Sequence, residues 1–132
     1  MITPPIAIAV TLSQQTIADR KGGFKTILEE WNNPDIIWYY RCGNLPKFTE
    51  LLYVFWVIGG RYRYVSVIAG MEKDKTMRFV RENGTFAEMH GNWILNIDYK
   101  PIPRRYQEPR KGFQGFRYIQ EEDMPWDPKL TV

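Results

Sequence analysis

The sequence has one cysteine, Cys42, and one histidine, His90. A single thiol cannot close an internal disulfide, which fits a reducing compartment, and a cytoplasmic location is expected. One Cys and one His cannot complete a zinc site. No carboxylate loop has calcium-binding spacing, so neither a metal nor a cofactor is expected. No pattern brings Cys42 and His90 together, and a Cys–His nucleophilic pair is not expected either.

Long hydrophobic runs are also missing. The longest, residues 51–58, is far too short to span a bilayer, and no membrane partner is expected. No basic region precedes the first apolar run, which Pro4-Pro5 interrupts early, so a secretory signal is not expected. The glycine-bearing Gly112-Phe113-Gln114-Gly115 lacks the strand-to-helix context of a phosphate-cradling loop. There is no internal repeat and no low-complexity tract.

What is present fits one domain. A chain of 132 residues can bury a core without staples. The domain is expected over residues 1–119, with an extended acidic tail over 120–132 pinned by Trp126. Aromatic residues reach 15%, with 5 Trp, 8 Tyr and 7 Phe, as suits a β-rich core. The net charge of +3 is concentrated. Between Tyr99 and Tyr118 stand six cations (Lys100, Arg104, Arg105, Arg110, Lys111 and Arg117) and one anion, Glu108, so that stretch carries +5 and the remainder is slightly acidic.

Local patterns predict mostly strands. Residues 6–10 are apolar and β-branched, and read as a first strand. Thr11 and Gln14 have capping-box spacing, with Ser13 as the alternative cap, ahead of a short helix over 12–21 that Gly22-Gly23 ends. Phe24, Ile27, Leu28 and Trp31 then recur on one helical face. Strands are expected at 36–41, 51–58, 61–69, 76–80, 93–99 and 113–119. Gly59-Gly60 closes a hairpin between the second and third of these, and Asn83-Gly84 is a second turn signal. Residues 71–75 read as a loop, and Pro101, Pro103 and Pro109 exclude regular structure before the last strand. The fold class is α+β, mainly β: a small barrel with one or two short helices near the N-terminus.

Two clusters could bind a ligand. Proline-spaced Arg104, Arg105, Arg110, Lys111 and Arg117 project from an extended backbone beside Phe113 and Phe116. Guanidinium groups for phosphates and ring faces for bases are what single-stranded nucleic acid requires. The competing reading is a solvated loop in front of core rings. Alternation in Trp38-Tyr39-Tyr40-Arg41 sets Trp38 and Tyr40 on one face. With Tyr62 and Tyr64 across the sheet they could wall a base pocket, or they could be core.

Gly23-Phe24-Lys25-Thr26, with Glu29 behind it, resembles the Gly-x-Lys-Thr-x-Glu element of ASCH domains. These belong to the PUA-like superfamily with PUA, EVE and YTH domains. The order of a strand, a short helix, this element, a hairpin and a late aromatic strand is similar too. The resemblance implies a small PUA-like barrel whose cleft binds RNA or recognises a modified base. Some ASCH proteins are amidohydrolases on an acylated cytidine. By the motif, Lys25 would be the base, Thr26 the hydroxyl it activates and Glu29 the acid. Here Glu29 falls one residue late, Trp31 stands where an arginine normally follows, and 24–31 has helical rather than extended periodicity. The stretch from Gly112 to Tyr118 is similar to a recurring ending of small proteins of unknown function from phages and mobile elements. A protein-interaction factor, such as a phage-encoded inhibitor of a host system, could use exposed aromatics as anchors. The expected activity is binding of RNA or single-stranded DNA. A small hydrolase of a modified nucleoside and a protein-binding factor are the alternatives.

Overall fold

A computed structural model describes residues 5–47, 50–81 and 83–129. The first four positions of the expected domain and the last three of its tail lie outside them. The chain is α+β and mainly β. Six strands form one sheet in the order β2-β5-β4-β3-β1-β6. They are β1 (Ala7–Thr11), β2 (Trp38–Cys42), β3 (Tyr53–Ile58), β4 (Arg61–Val80), β5 (Phe86–Pro101) and β6 (Phe116–Ile119). β1 runs parallel to β3, and every other pairing is antiparallel. The sheet is open, with β2 and β6 at its edges. Those edges approach each other all the same. The Tyr40 hydroxyl of β2 donates to the Gly115 carbonyl just before β6 at 3.3 Å, and the Lys47 amide donates to the Tyr118 hydroxyl at 2.9 Å.

Both faces of the sheet are covered, so β3 is buried at all six residues, as its unbroken apolar run requires. On one face, helices α1 (Gln14–Ala18) and α2 (Phe24–Trp31) close a core around Ile8, Val10, Val54, Trp56 and Ile94. Ser13, not Thr11, caps α1: its hydroxyl accepts from the Thr16 amide at 3.1 Å. The helix is shorter than the 12–21 expected from sequence. Ile27 and Trp31 of α2 are buried, and Phe24 and Leu28 pack beside them. Trp31 stacks on Tyr99 at 4.3 Å and meets Trp56 at 5.2 Å. Within the sheet a buried chain runs from Trp56 Nε1 to Ser66 Oγ (2.9 Å) and on to Asn96 Oδ1 (3.1 Å). Asn96 Nδ2 donates to the carbonyls of Trp38 and Ile94, so this polar group is satisfied where water cannot reach.

The second face is covered by coil and two 3-10 turns, Arg104–Tyr106 and Glu121–Asp123. Ile102 and Trp126 are buried there among Ala7, Ala9, Phe55 and Val57. Trp126, at 6% exposure, ties residues 120–129 to the core that the sheet shares, so this stretch is a cover rather than an extended tail.

β3 and β4 form the hairpin expected at Gly59-Gly60, whose φ values of +60° and +80° belong to a two-residue turn with the twist strands need. β4 does not stop at Ala69. It runs on to Val80, paired with β5, and takes in both the loop expected at 71–75 and the separate strand expected at 76–80. The loop signal came from a bulge: the register shifts between Glu72 and Lys75, and Asp74 has φ of +49°. A short polar residue tolerates that conformation, and a bulge admits an unpaired residue without ending the strand. Past Asn92, β4 and β5 continue as a two-stranded arm.

Candidate functional site

The basic segment is held differently from the extended track expected of it. Residues 104–106 turn as a 3-10 helix between Pro103 and Gln107. The stretch is stitched back onto the start of β4. Ile102 N donates to Arg63 O (2.9 Å), Tyr62 N to Glu108 O (3.0 Å) and Arg110 N to Gly60 O (2.8 Å). Proline removed the donors of a regular ladder, but the remaining amides found β4.

This brings cations together from two parts of the chain. Arg61, Arg104, Arg105, Arg110, Lys111 and Arg117 are exposed, and Arg63 is half-buried. None of them forms an ion pair with a described carboxylate. Arg61 and Arg63 belong here although they lie far from Arg104 in sequence. Their arrival depends on the antiparallel return of β5 to the hairpin, a long-range pairing that local patterns cannot show. Ile58, Gly59, Arg61, Arg63, Arg104 and Gln107 line one cleft of about 680 Å³.

Beside the cleft the guanidinium groups of Arg110 and Arg117 both lie over the Phe113 ring, at 5.2 and 4.9 Å from its centre. Arg117 also donates to the carbonyls of Gln114 and Phe116. Arg105 lies over Tyr106 at 4.9 Å. Rings thus hold these cations in place while leaving them exposed. Phe113 is half-buried against the coil-covered face, and its amide donates to Thr11 Oγ1 at 3.1 Å. Phe116 packs on the opposite, helix-covered face. The two rings therefore do not line one groove, because the pleat of β6 separates Phe116 from Arg117.

Of the four residues expected to wall a base pocket, Tyr62 is buried, and Trp38, Tyr40 and Tyr64 are half-buried against the helix-covered core. Trp38 and Tyr40 meet Trp56 at 5.8 and 6.0 Å, and Tyr64 meets Trp31 at 5.4 Å. Trp38 Nε1 donates to Glu30 at 2.9 Å. Tyr62 lies on the other face, against Phe55. Two positions along a regular strand would put Tyr62 with Tyr64. Here the register shifts, so that Trp56 pairs with Tyr64 while Val57 pairs with Tyr62, and Arg63 is the extra residue of the bulge. Burial raises the pKa of the Tyr62 hydroxyl, with nearby Arg110 opposing and Glu108 adding to the shift.

Lys25 and Glu29 are exposed on α2. The Thr26 hydroxyl donates to the Lys21 carbonyl, closing the turn before the helix. Helical geometry thus gives this element a local structural task and brings no acid to Thr26. Cys42 is buried at the end of β2, with its thiol near the Asn92 carbonyl, and burial raises its pKa to about 11. His90 stands exposed on the arm, within β5, and contacts Thr76 at 2.9 Å. No helix among the described residues is long and apolar enough to cross a membrane. No protein family model, curated protein or solved structure matches this chain.

Proposed function

We propose that the protein binds single-stranded nucleic acid, RNA or DNA, through the basic end of its sheet. The observation that carries this reading is the gathering of Arg61, Arg63, Arg104, Arg110 and Arg117 at one end with no ion-paired described carboxylate. Like charges crowded together oppose folding unless an external anion neutralises them. Guanidinium groups match phosphate in geometry and also stack on bases, so rings already covered by arginine still leave a stacking plane outside. The inward approach of β2 and β6 supports a half-open, PUA-like barrel as the scaffold. The hydrolase reading has less support, because Lys25 and Glu29 face solvent.

A second reading, a protein partner, is favoured by one feature: the arm and its surroundings expose Val80 (68%), Phe86 (53%) and Ile37 (43%). The test is affinity for a labelled single strand at low salt. Changing Arg104, Arg110 and Arg117 together to Gln should weaken it by about thirtyfold to a hundredfold. Unchanged affinity in a folded triple variant would overturn the nucleic-acid reading.

A further inference from the structure

We infer that the cleft at the β3–β4 turn is a discrete pocket for a terminal phosphate, a phosphomonoester or a short polyphosphate, rather than one step on a phosphodiester track. The inference deepens the nucleic-acid reading and rests on it only for the source of the phosphate.

The argument begins with what lines the cleft. Three of its six lining residues are arginines, Arg61, Arg63 and Arg104, and none is acidic. The cleft of about 680 Å³ is open on one side, so its arginines can be reached by a ligand on the end of a longer chain. Apolar surface is scarce, since Ile58 is the one large apolar residue in the lining. A bound group would be recognised by charge and not by a base. An internal phosphodiester carries one negative charge, whereas a phosphomonoester carries about 1.5 to 2 at neutral pH with three strong acceptor oxygens. Three guanidinium groups in one concavity match the second far better.

The cleft is also built in advance. Arg61 Nη1 donates to the Gln107 carbonyl at 3.0 Å. The Gln107 side chain is fixed in turn by donating to the Ile102 carbonyl at 2.9 Å. Arg63 occupies the bulge of β4, and its guanidinium lies over the Phe24 ring at 5.6 Å. A bulge re-aims a side chain that regular pairing would place elsewhere. Arg104 projects from the 3-10 turn, and no described residue pairs with its guanidinium, so its donors remain available to a ligand. Two arginines are thus positioned by the fold, and the third stands ready to close on an anion.

The neighbouring Arg105 provides the control. It shares the turn, the charge and the exposure of Arg104, but it lies over Tyr106 and does not line the cleft. The experiment measures affinity of the full chain for three probes: a short single strand with a terminal phosphate at one end, the same strand with hydroxyl ends, and inorganic pyrophosphate. The phosphate should tighten binding of the strand about tenfold or more, as expected for charge-assisted hydrogen bonds, without regard to the terminal base. Arg104→Gln should abolish that advantage, and Arg105→Gln should keep it. Equal binding of both strands, or equal loss in the two variants, would overturn the pocket while leaving the nucleic-acid reading intact. Pyrophosphate binding that Arg104→Gln removes, with no binding of either strand, would uphold the pocket and overturn the nucleic-acid reading. Failure of all three probes to bind would overturn both.

Discussion

At its first residues β4 lies between β3 and the returning segment 102–110, and its arginines crowd toward a cleft. At its last residues its described strand pairing is with β5 alone. Charges at the two ends are treated differently. On the arm they are engaged locally: Lys75 pairs with Glu72 at 3.5 Å, Arg78 lies over Phe86 at 3.7 Å and Arg81 reaches Thr85. At the basic end the cations rest on rings and carbonyls with no described carboxylate partner. A ribbon of two strands is marginal on its own, and an ion pair, Lys75 with Glu72, stands at its root. The multiply fastened end can hold unneutralised charge in a fixed shape. The difference is why the proposed binding surface is assigned to the multiply fastened end.

Removing what holds the arm should give the largest effect. Trp93 is buried at the arm's root, between Tyr39 and Phe79, and its indole donates to the Lys75 carbonyl at 2.8 Å. It belongs to neither main core cluster. Trp93→Ala should cost about 3–5 kcal/mol in urea unfolding. Amide exchange should rise most over residues 75–91. Nucleic-acid affinity of the folded fraction should hold, and its loss would show that the two ends are coupled.

Alkaline pH should weaken the sheet shared by both ends. Burial raises the pKa of Cys42 to about 11, and burial likewise pushes Tyr40, Tyr62 and Tyr99 upward. The folded state then keeps protons that the unfolded chain has released. Stability is full below the unfolded values, about 8.5 for a thiol and about 10 for a phenol, and is lost as pH rises through the folded ones. The urea midpoint should fall steadily above about pH 9, and Cys42→Ala should remove the earliest part of the fall. A flat profile would contradict the burial of these groups. Arg110→Gln should push the Tyr62 transition still higher, read by phenolate absorbance, because Arg110 opposes that shift.

Smaller effects separate the ends by ring. Phe113→Leu removes the surface under Arg110 and Arg117, and should lower affinity several-fold with the salt dependence kept. Phe86→Leu removes the ring under Arg78 on the arm, and should leave affinity unchanged and stability within about 0.5 kcal/mol. Equal losses in both variants would erase the distinction.

Much of this scaffold is legible in the sequence, because local signals state it. Gly59-Gly60 gives the hairpin, the spacing of Phe24, Ile27 and Trp31 gives α2, and the unbroken apolar run gives the doubly covered β3. The length of β4 was hidden because a bulge at Asp74 imitates a loop. The site was half legible. Charge density marks Arg104, Arg110 and Arg117, but Arg61 and Arg63 join them only through strand pairing. A register shift, invisible to alternation, sends Tyr62 and Tyr64 to opposite faces, so the four rings do not share one wall.

The most direct test is the salt dependence of binding to a single-stranded oligonucleotide in the parent and two triple variants. With three to five cations engaged, the parent's log–log slope should be about −2 to −3.5. Arg104, Arg110 and Arg117 changed together to Gln should flatten the slope by about 2, at roughly 0.7 per contact. Lys75, Arg78 and Arg81 changed together to Gln should leave it as in the parent. The reverse outcome, a slope that flattens only when the arm is neutralised, would contradict the assignment of binding to the basic end.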